Sequence, residues 1–427
     1  LLIVLFICLV FAGRGYAACT GSSPTWTTTP DYTSVSSCVS QATAGDTVNV
    51  SAGSATWSSI LSLTKSIILV GAGIDSTIIT NGGVAYTVLV EPATPADNPT
   101  IKVSGFTFNG GGSSTLGTGI LVRNYNTTYD FTNYRIYNNK FTNSLVTTGA
   151  GVYNWGMVFG LIDHNVFSAN FYDLKMRGAD TASWDKYTKD TDNTLVYSSL
   201  GMGGARFVYV EDNTFTNGNR FIITSGEGSR WVFRYNDLAE DSGPQSFLDM
   251  HGDTSNDGNV AAEAYENTQI TTTGTNKYWS SMWFDYRGGT AMVYNNSAYV
   301  DTGGERASIK IREEHGGLRM GYDMKVHNGY VWNNKNSKND TLMNTLDINS
   351  YDPYNLLFEQ VDYWKDTVGR TKTKNTYFSY DIAGNRNLTT CTAQDVYWET
   401  DNKKLYRCTA TNTWTLEYTP YTYPHPS

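Results

Sequence analysis

Short runs of alternating apolar and polar residues recur along most of the chain, and no long stretch carries the 3.6-residue period of an amphipathic helix. Many of these runs read as strands that end in an asparagine. YRIYNNKF, GLIDHNVF, VYVEDNTF, WVFRYNDL, AEAYENTQ, MVYNNSAY and KVHNGYVW align on Asn139, Asn165, Asn213, Asn236, Asn267, Asn296 and Asn328. The spacings are 26, 48, 23, 31, 29 and 32 residues. All but the 48 suit one coil of a β-solenoid with loops of varying length, and the 48 suits two coils or one coil with a large insertion. An inward-turned Asn at each strand end can hydrogen-bond the Asn and backbone of the next coil, so these residues are expected to be scaffold and not site.

Just past each of these strands another recurs, often ending in glycine. DLKMRG, FIITSG, FLDMHG, WFDYRG and SIKIRE align on Gly178, Gly226, Gly252, Gly288 and Glu313. Side chains alternate faces along a strand, which sends Leu174 and Met176, Ile222 and Thr224, Leu248 and Met250, Phe284 and Tyr286, Ile309 and Ile311 inward. Lys175 and Arg177, Ile223 and Ser225, Asp249 and His251, Asp285 and Arg287, Lys310 and Arg312 then face out. Equivalent positions of stacked coils lie about 4.8 Å apart, so the outward residues predict a two-column strip roughly 20 Å long. One step back along their strands, Phe247 and Trp283 are also expected to face out, where they are able to stack on sugar rings. Insertions at 179–200, 252–260 and 270–281 bring Trp184, Tyr187, Tyr278 and Trp279 as candidate cleft walls.

Each of these residues also has a plainer reading. The basic side chains suit solvated charges or partners of Glu211, Glu313 and Glu314, and His251 alone suits a structural role. Asp249 and Asp285, stacked one coil apart, would repel if both ionised, unless Arg287, a cation or a shared proton compensates. A scaffold gains nothing from that repulsion, which favours a functional strip.

Composition narrows the picture further. Glycine (40) and tyrosine (30) are abundant while proline (10) is scarce, as befits short strands joined by tight polar turns. The net charge of −9 argues against a nucleic-acid partner. LLIVLFICLVFAGRGYAA, residues 1–18, reads as the apolar region and small-residue cleavage site of a secretory signal, in a sequence that lacks an initiator Met and a basic leader. A lipid anchor at Cys19 is the alternative. No later apolar run is long enough to span a bilayer. Once Cys8 leaves with the signal, four cysteines remain as two local pairs, Cys19 with Cys38 and Cys391 with Cys408. Two disulfide-stapled caps in an oxidising compartment fit this spacing, which offers no CxxC metal motif.

AGDTVNVSAGSATW (44–57), SIILVGAG (66–73) and STIIT (76–80) resemble the opening coils of the pectate-lyase-like β-helix superfamily, and with the Asn ladder the resemblance covers about residues 40–335. It implies an all-β, right-handed parallel β-helix secreted to the outside or surface of a bacterium, expected as a monomer. The superfamily holds lyases, hydrolases, epimerases, tailspikes and adhesins, so the fold alone does not decide the chemistry. The basic residues flanking the two aspartates favour an acidic polysaccharide as partner, with β-elimination as the leading chemistry. Lyases of the superfamily use Arg or Lys as base and Ca²⁺ held by carboxylates. By position, Arg287 or Lys310 is the candidate base, with Arg312 beside them and His251 as base or proton donor. Asp249 and Asp285, helped by Asp253 or Glu263, are the candidate Ca²⁺ ligands. Lys175, Arg177, Phe247 and Trp283 are expected to hold substrate. A polygalacturonase-like hydrolase using the two aspartates, and a glycan-binding adhesin without turnover, are the competing readings. The expected division is a signal peptide (1–18), an N-terminal cap and first coil (19–65), the β-helix (66–335), an irregular covering segment (336–390) and a disulfide-pinned hairpin cap (391–427).

Overall fold

A computed structural model describes residues 19–112, 117–145, 148–187, 197–216, 221–240, 247–252, 258–271, 283–298, 309–312, 318–319, 322–323, 325–336, 341–342, 345–347, 359–361, 363–366, 377–386 and 389–426. The expected signal segment lies outside them.

Alternation drives the architecture: each short strand buries one face and must find a parallel neighbour for its backbone. The strands do so in three long sheets of 13, 11 and 10 members, which the chain visits in turn. Tyr134–Tyr137, Lys140–Thr142 and Val152–Gly156 form one coil, and Leu161–Asp163, Val166–Ser168 and Tyr172–Arg177 form the next. They contribute to the first, second and third sheets respectively, each pairing in parallel with its equivalent one coil on. The molecule is a parallel β-helix.

The corner between first and second sheets explains the asparagines. The residue before each rung is left-handed, as at His164 (φ 55°), Asp212 (φ 56°) and Glu266 (φ 57°), and turns the chain sharply. The following Asn points into the stack. The Asn165 backbone N–H and Nδ2 both donate to Asn213 Oδ1, at 2.9 and 3.0 Å. Asn213 repeats this with Asn236 (3.0 and 3.1 Å), and Asn236 with Asn267 (3.0 Å each). Because Asn165 bonds Asn213 directly, the 48-residue gap is one coil with an insertion. The last rung differs from expectation: Asn296 donates to Asn334, not Asn328. Asn328 precedes its strand, Gly329–Trp332, whereas Asn333 and Asn334 follow it as the turn-and-rung pair. Inside the corner, Phe108, Phe141, Phe167 and Phe215 stack with centroids 5.5, 5.0 and 4.9 Å apart.

Both disulfides form. Cys19–Cys38 pins the helix Tyr32–Gln41, whose Val35, Cys38 and Val39 close the N-terminal end of the core. Coils continue beyond residue 335, since Thr345–Asp347 extends the third sheet and Tyr363–Lys365 the first. The C-terminal residues form a four-stranded sheet, Phe378–Asp381, Val396–Glu399, Lys404–Ala410 and Thr413–Tyr418, pinned by Cys391–Cys408. It lies on the flank of the solenoid. There Trp398, Leu405 and Tyr418 pack with the outward Tyr265, Tyr294 and Trp332, themselves stacked at 4.7 and 4.3 Å. From Leu161 onward the outer face of the first sheet is therefore buried, while the charged strip lies on the third sheet.

Candidate functional site

The five expected strands do stack as neighbours in the third sheet: Tyr172–Arg177, Phe221–Gly226, Phe247–Met250, Phe284–Tyr286 and Ile309–Ile311. Direct pairing runs Lys175, Thr224, Asp249, Asp285, Lys310. One register is corrected. A bulge between Phe221 and Ile223 shifts that strand by one, so Thr224 joins the outward column while Ile223 turns into the core and Ser225 is buried. Glycine ends these strands where backbone crosses close; a Cβ at Gly178 would lie 2.2 Å from the Glu227 carbonyl oxygen.

Asp249 and Asp285 sit in register on adjacent strands and are each only 1% exposed. Two like charges so placed require compensation, and guanidinium groups supply it. Arg287, 7% exposed, reaches both carboxylates: Nη2 bonds Asp249, and Nε lies 3.4 Å from Asp285 Oδ2. Arg312 grips Asp285 with its fork, Nε to Oδ1 at 2.9 Å and Nη2 to Oδ2 at 2.5 Å. His251 Nε2 lies 2.7 Å from Asp249 Oδ2, with the imidazole 29% exposed. Burial pushes the Asp249 carboxyl up, but His251 and Arg287 together outweigh it and hold the group below its ordinary range. At Asp285 burial, with the neighbouring Asp249, prevails over the two arginines and raises the carboxyl.

Lys310 is half-buried at the end of the column. At the other end, Lys175 Nζ donates to the Thr148 carbonyl at 2.9 Å and lies 4.7 Å from the Tyr172 ring centroid. Burial and the adjacent Arg177 lower its ammonium to about 8. Arg177 Nη1 is 3.5 Å from Glu227.

Several expected members lie elsewhere. Trp283 is 3% exposed and belongs to the core, so it presents no ring to the outer face. Glu263 is on the first sheet, fully buried beneath the C-terminal sheet, where it accepts hydrogen bonds from Gly203 N–H and Tyr418 Oη at 2.7 Å each. Trp184 and Tyr187 pack into the hydrophobic cluster of that same face, and Tyr187 also lines a cavity with Asn154, Met176, Arg177 and Gly178 at the end of the third sheet. Asp253, Tyr278, Trp279 and the Phe247 side chain lie outside the described residues. Calcium prefers six to eight oxygen ligands, and both aspartates already face guanidinium groups, so this pair is a poor match for Ca²⁺. Among the described residues no cluster of three or more His, Cys, Asp or Glu side chains is arranged to hold a metal.

The outward face of the third sheet continues into the coil before the five aligned strands. GVYNWG, residues 151–156, also ends in glycine and pairs with Tyr172–Arg177, Tyr153 opposite Lys175 and Trp155 opposite Arg177. This outward aromatic pair has nearly parallel rings, 5.7 Å apart at 4°. Tyr125 from the preceding coil meets Trp155 edge-on at 5.2 Å, and Arg123 lies 4.8 Å from the Tyr125 centroid.

No family model matches this chain, and no curated protein matches it. Among solved structures it is similar to ORF18 of Geobacillus virus E2, with a TM-score of 0.32 and 13% identity over 90% of this chain and 82% of that one. No helix among the described residues is long and apolar enough to cross a membrane.

Proposed function

We propose that this protein is a secreted β-helix of the pectate-lyase-like kind that binds an acidic polysaccharide along its third sheet and cleaves it by β-elimination, with His251 as the base. The observation that carries the reading is the His251–Asp249 contact of 2.7 Å, in which the carboxylate is buried and the imidazole reaches solvent. A carboxylate so fixed orients the ring and stabilises the imidazolium that forms when it takes a proton. His251 removes the proton from the carbon next to the uronate carboxyl. Those electrons form the new C=C bond, the C–O bond to the next sugar breaks, and the departing oxygen takes a proton from Lys310 or water.

Arg312, 19% exposed, is the guanidinium best placed to neutralise the sugar carboxylate. Arg287, being buried between two aspartates and permanently charged, positions them and leaves the base role to His251. A hydrolase reading is weaker because Asp249 and Asp285 lie side by side under arginines, with no room for a sugar between them. The two disulfides suit secretion.

Incubation with polygalacturonate and alginate, followed by absorbance of the unsaturated product, tests the chemistry. Wild-type protein is expected to form product, and His251→Ala to lose at least about a hundredfold in rate. Binding by the wild type without any product contradicts elimination and leaves a glycan-binding protein.

A further inference from the structure

The aromatic cluster one coil before Lys175 has no part in the elimination just described, yet it continues the same outer face. The first sheet also carries outward aromatic stacks, and there the C-terminal sheet buries them. On the third sheet Tyr153 and Trp155 remain half-exposed and Tyr125 is 53% exposed. Outward strand positions that keep large rings partly in water, beside a cation, match the demands of a sugar ring, which offers an apolar C–H face and polar edges.

We infer that Trp155, with Tyr153 and Tyr125, is a stacking subsite for a pyranose ring of the acidic polymer, several residues away from the bond that breaks. The inference rests on the reading of the third sheet as an acidic-glycan site. Register places Tyr153 on the line of Lys175, Thr224 and Asp249, so by about 4.8 Å per coil it stands about 14 Å from Asp249. A polymer lying along the solenoid axis would meet both. Charge complementarity selects an acidic sugar over a neutral one, because the Lys175 ammonium stands 5.6 Å from the Tyr153 centroid and Arg177 pairs opposite Trp155. A ring stacked on Trp155 would bring its carboxylate within reach of these cations. The charged half then positions the reacting sugar, and the aromatic half adds affinity for longer chains.

The test compares short oligogalacturonates and oligoalginates, which span only the charged half, with long ones that reach Trp155. Trp155→Ala is expected to weaken binding of the long oligomers about tenfold while leaving the short ones unchanged, and Trp155→Phe to restore most of the loss. Unchanged binding of the short oligomers also reports that the variant is folded. If wild-type protein prefers long oligomers and Trp155→Ala keeps that preference intact, the subsite is refuted while the acidic-glycan reading stands. If wild-type protein binds neither polymer nor oligomer, that reading fails and takes the subsite with it.

Discussion

Asp249 and Asp285 show how far single residues can be read from sequence. Strand alternation alone put both on one outward column, and the expected compensation by Arg287 is what the geometry contains. Their near-complete burial was not legible, because it depends on Arg287, from the end of the Asp285 strand, and Arg312, from the coil after it, folding over both carboxylates. Trp283 was misjudged for a related reason: a large aromatic at a strand entrance has no fixed face until the local turn is known. Two residue-scale predictions follow from shifted proton equilibria. Asp173 is buried within the third-sheet strand, with Asn170 Nδ2 at 3.0 Å, and desolvation pushes it up to about 8. Its folded state therefore favours the protonated form, a contribution fully present below about pH 4 and lost as pH rises through 8. Asp173→Asn should match the wild type near pH 4 and exceed its stability by roughly 4 kcal/mol at pH 7, measured by chemical denaturation. Lys175, lowered to about 8, should regain a proton when an anionic sugar binds. Calorimetry between pH 8 and 9, in buffers of different ionisation enthalpy, should register proton uptake that Lys175→Met abolishes.

At the scale of elements, the asparagine ladder was the most legible feature, because a two-residue turn with a left-handed first position imposes the same sequence mark on every coil. The misassigned rung at Asn328 has a simple cause: the motif was matched by its Asn, and only strand direction distinguishes an Asn that enters a strand from one that leaves it. The bulge in Phe221–Gly226 was not legible, since one extra residue in a strand reads as ordinary alternation with a changed phase. Asn213 tests the ladder. Its Nδ2 bonds the carbonyls of Ile162 and Glu211 as well as Asn236, and its Oδ1 holds Asn165. Asn213→Ala takes the acceptor from the buried Asn165 N–H groups and a donor from the Ile162 and Glu211 carbonyls, and should cost about 3 kcal/mol or more, read as a lowered Tm.

For the whole molecule, the solenoid was legible in the repeats and its asymmetry was not. Repeats report on neighbouring coils, whereas the C-terminal sheet reaches the first sheet from far along the chain and leaves no periodic trace. Its final residues seal a buried ion pair there: Arg234 bonds Glu211 at 2.6 Å and donates to the Tyr421 and Thr422 carbonyls, while the His425 N–H donates to Glu211. Deleting the chain from Thr419 onward should lower stability by about 2 to 4 kcal/mol, because charged groups lose buried partners. Glycan binding should survive, since the third sheet is another face of the solenoid. The central claim concerns that face, and affinity electrophoresis tests it most directly. Gels containing polygalacturonate or alginate should retard the wild-type protein where a neutral glucan does not, and replacing Lys175 and Arg312 by Ala should remove the retardation. Equal mobility of the wild-type protein in acidic, neutral and polymer-free gels would contradict the account.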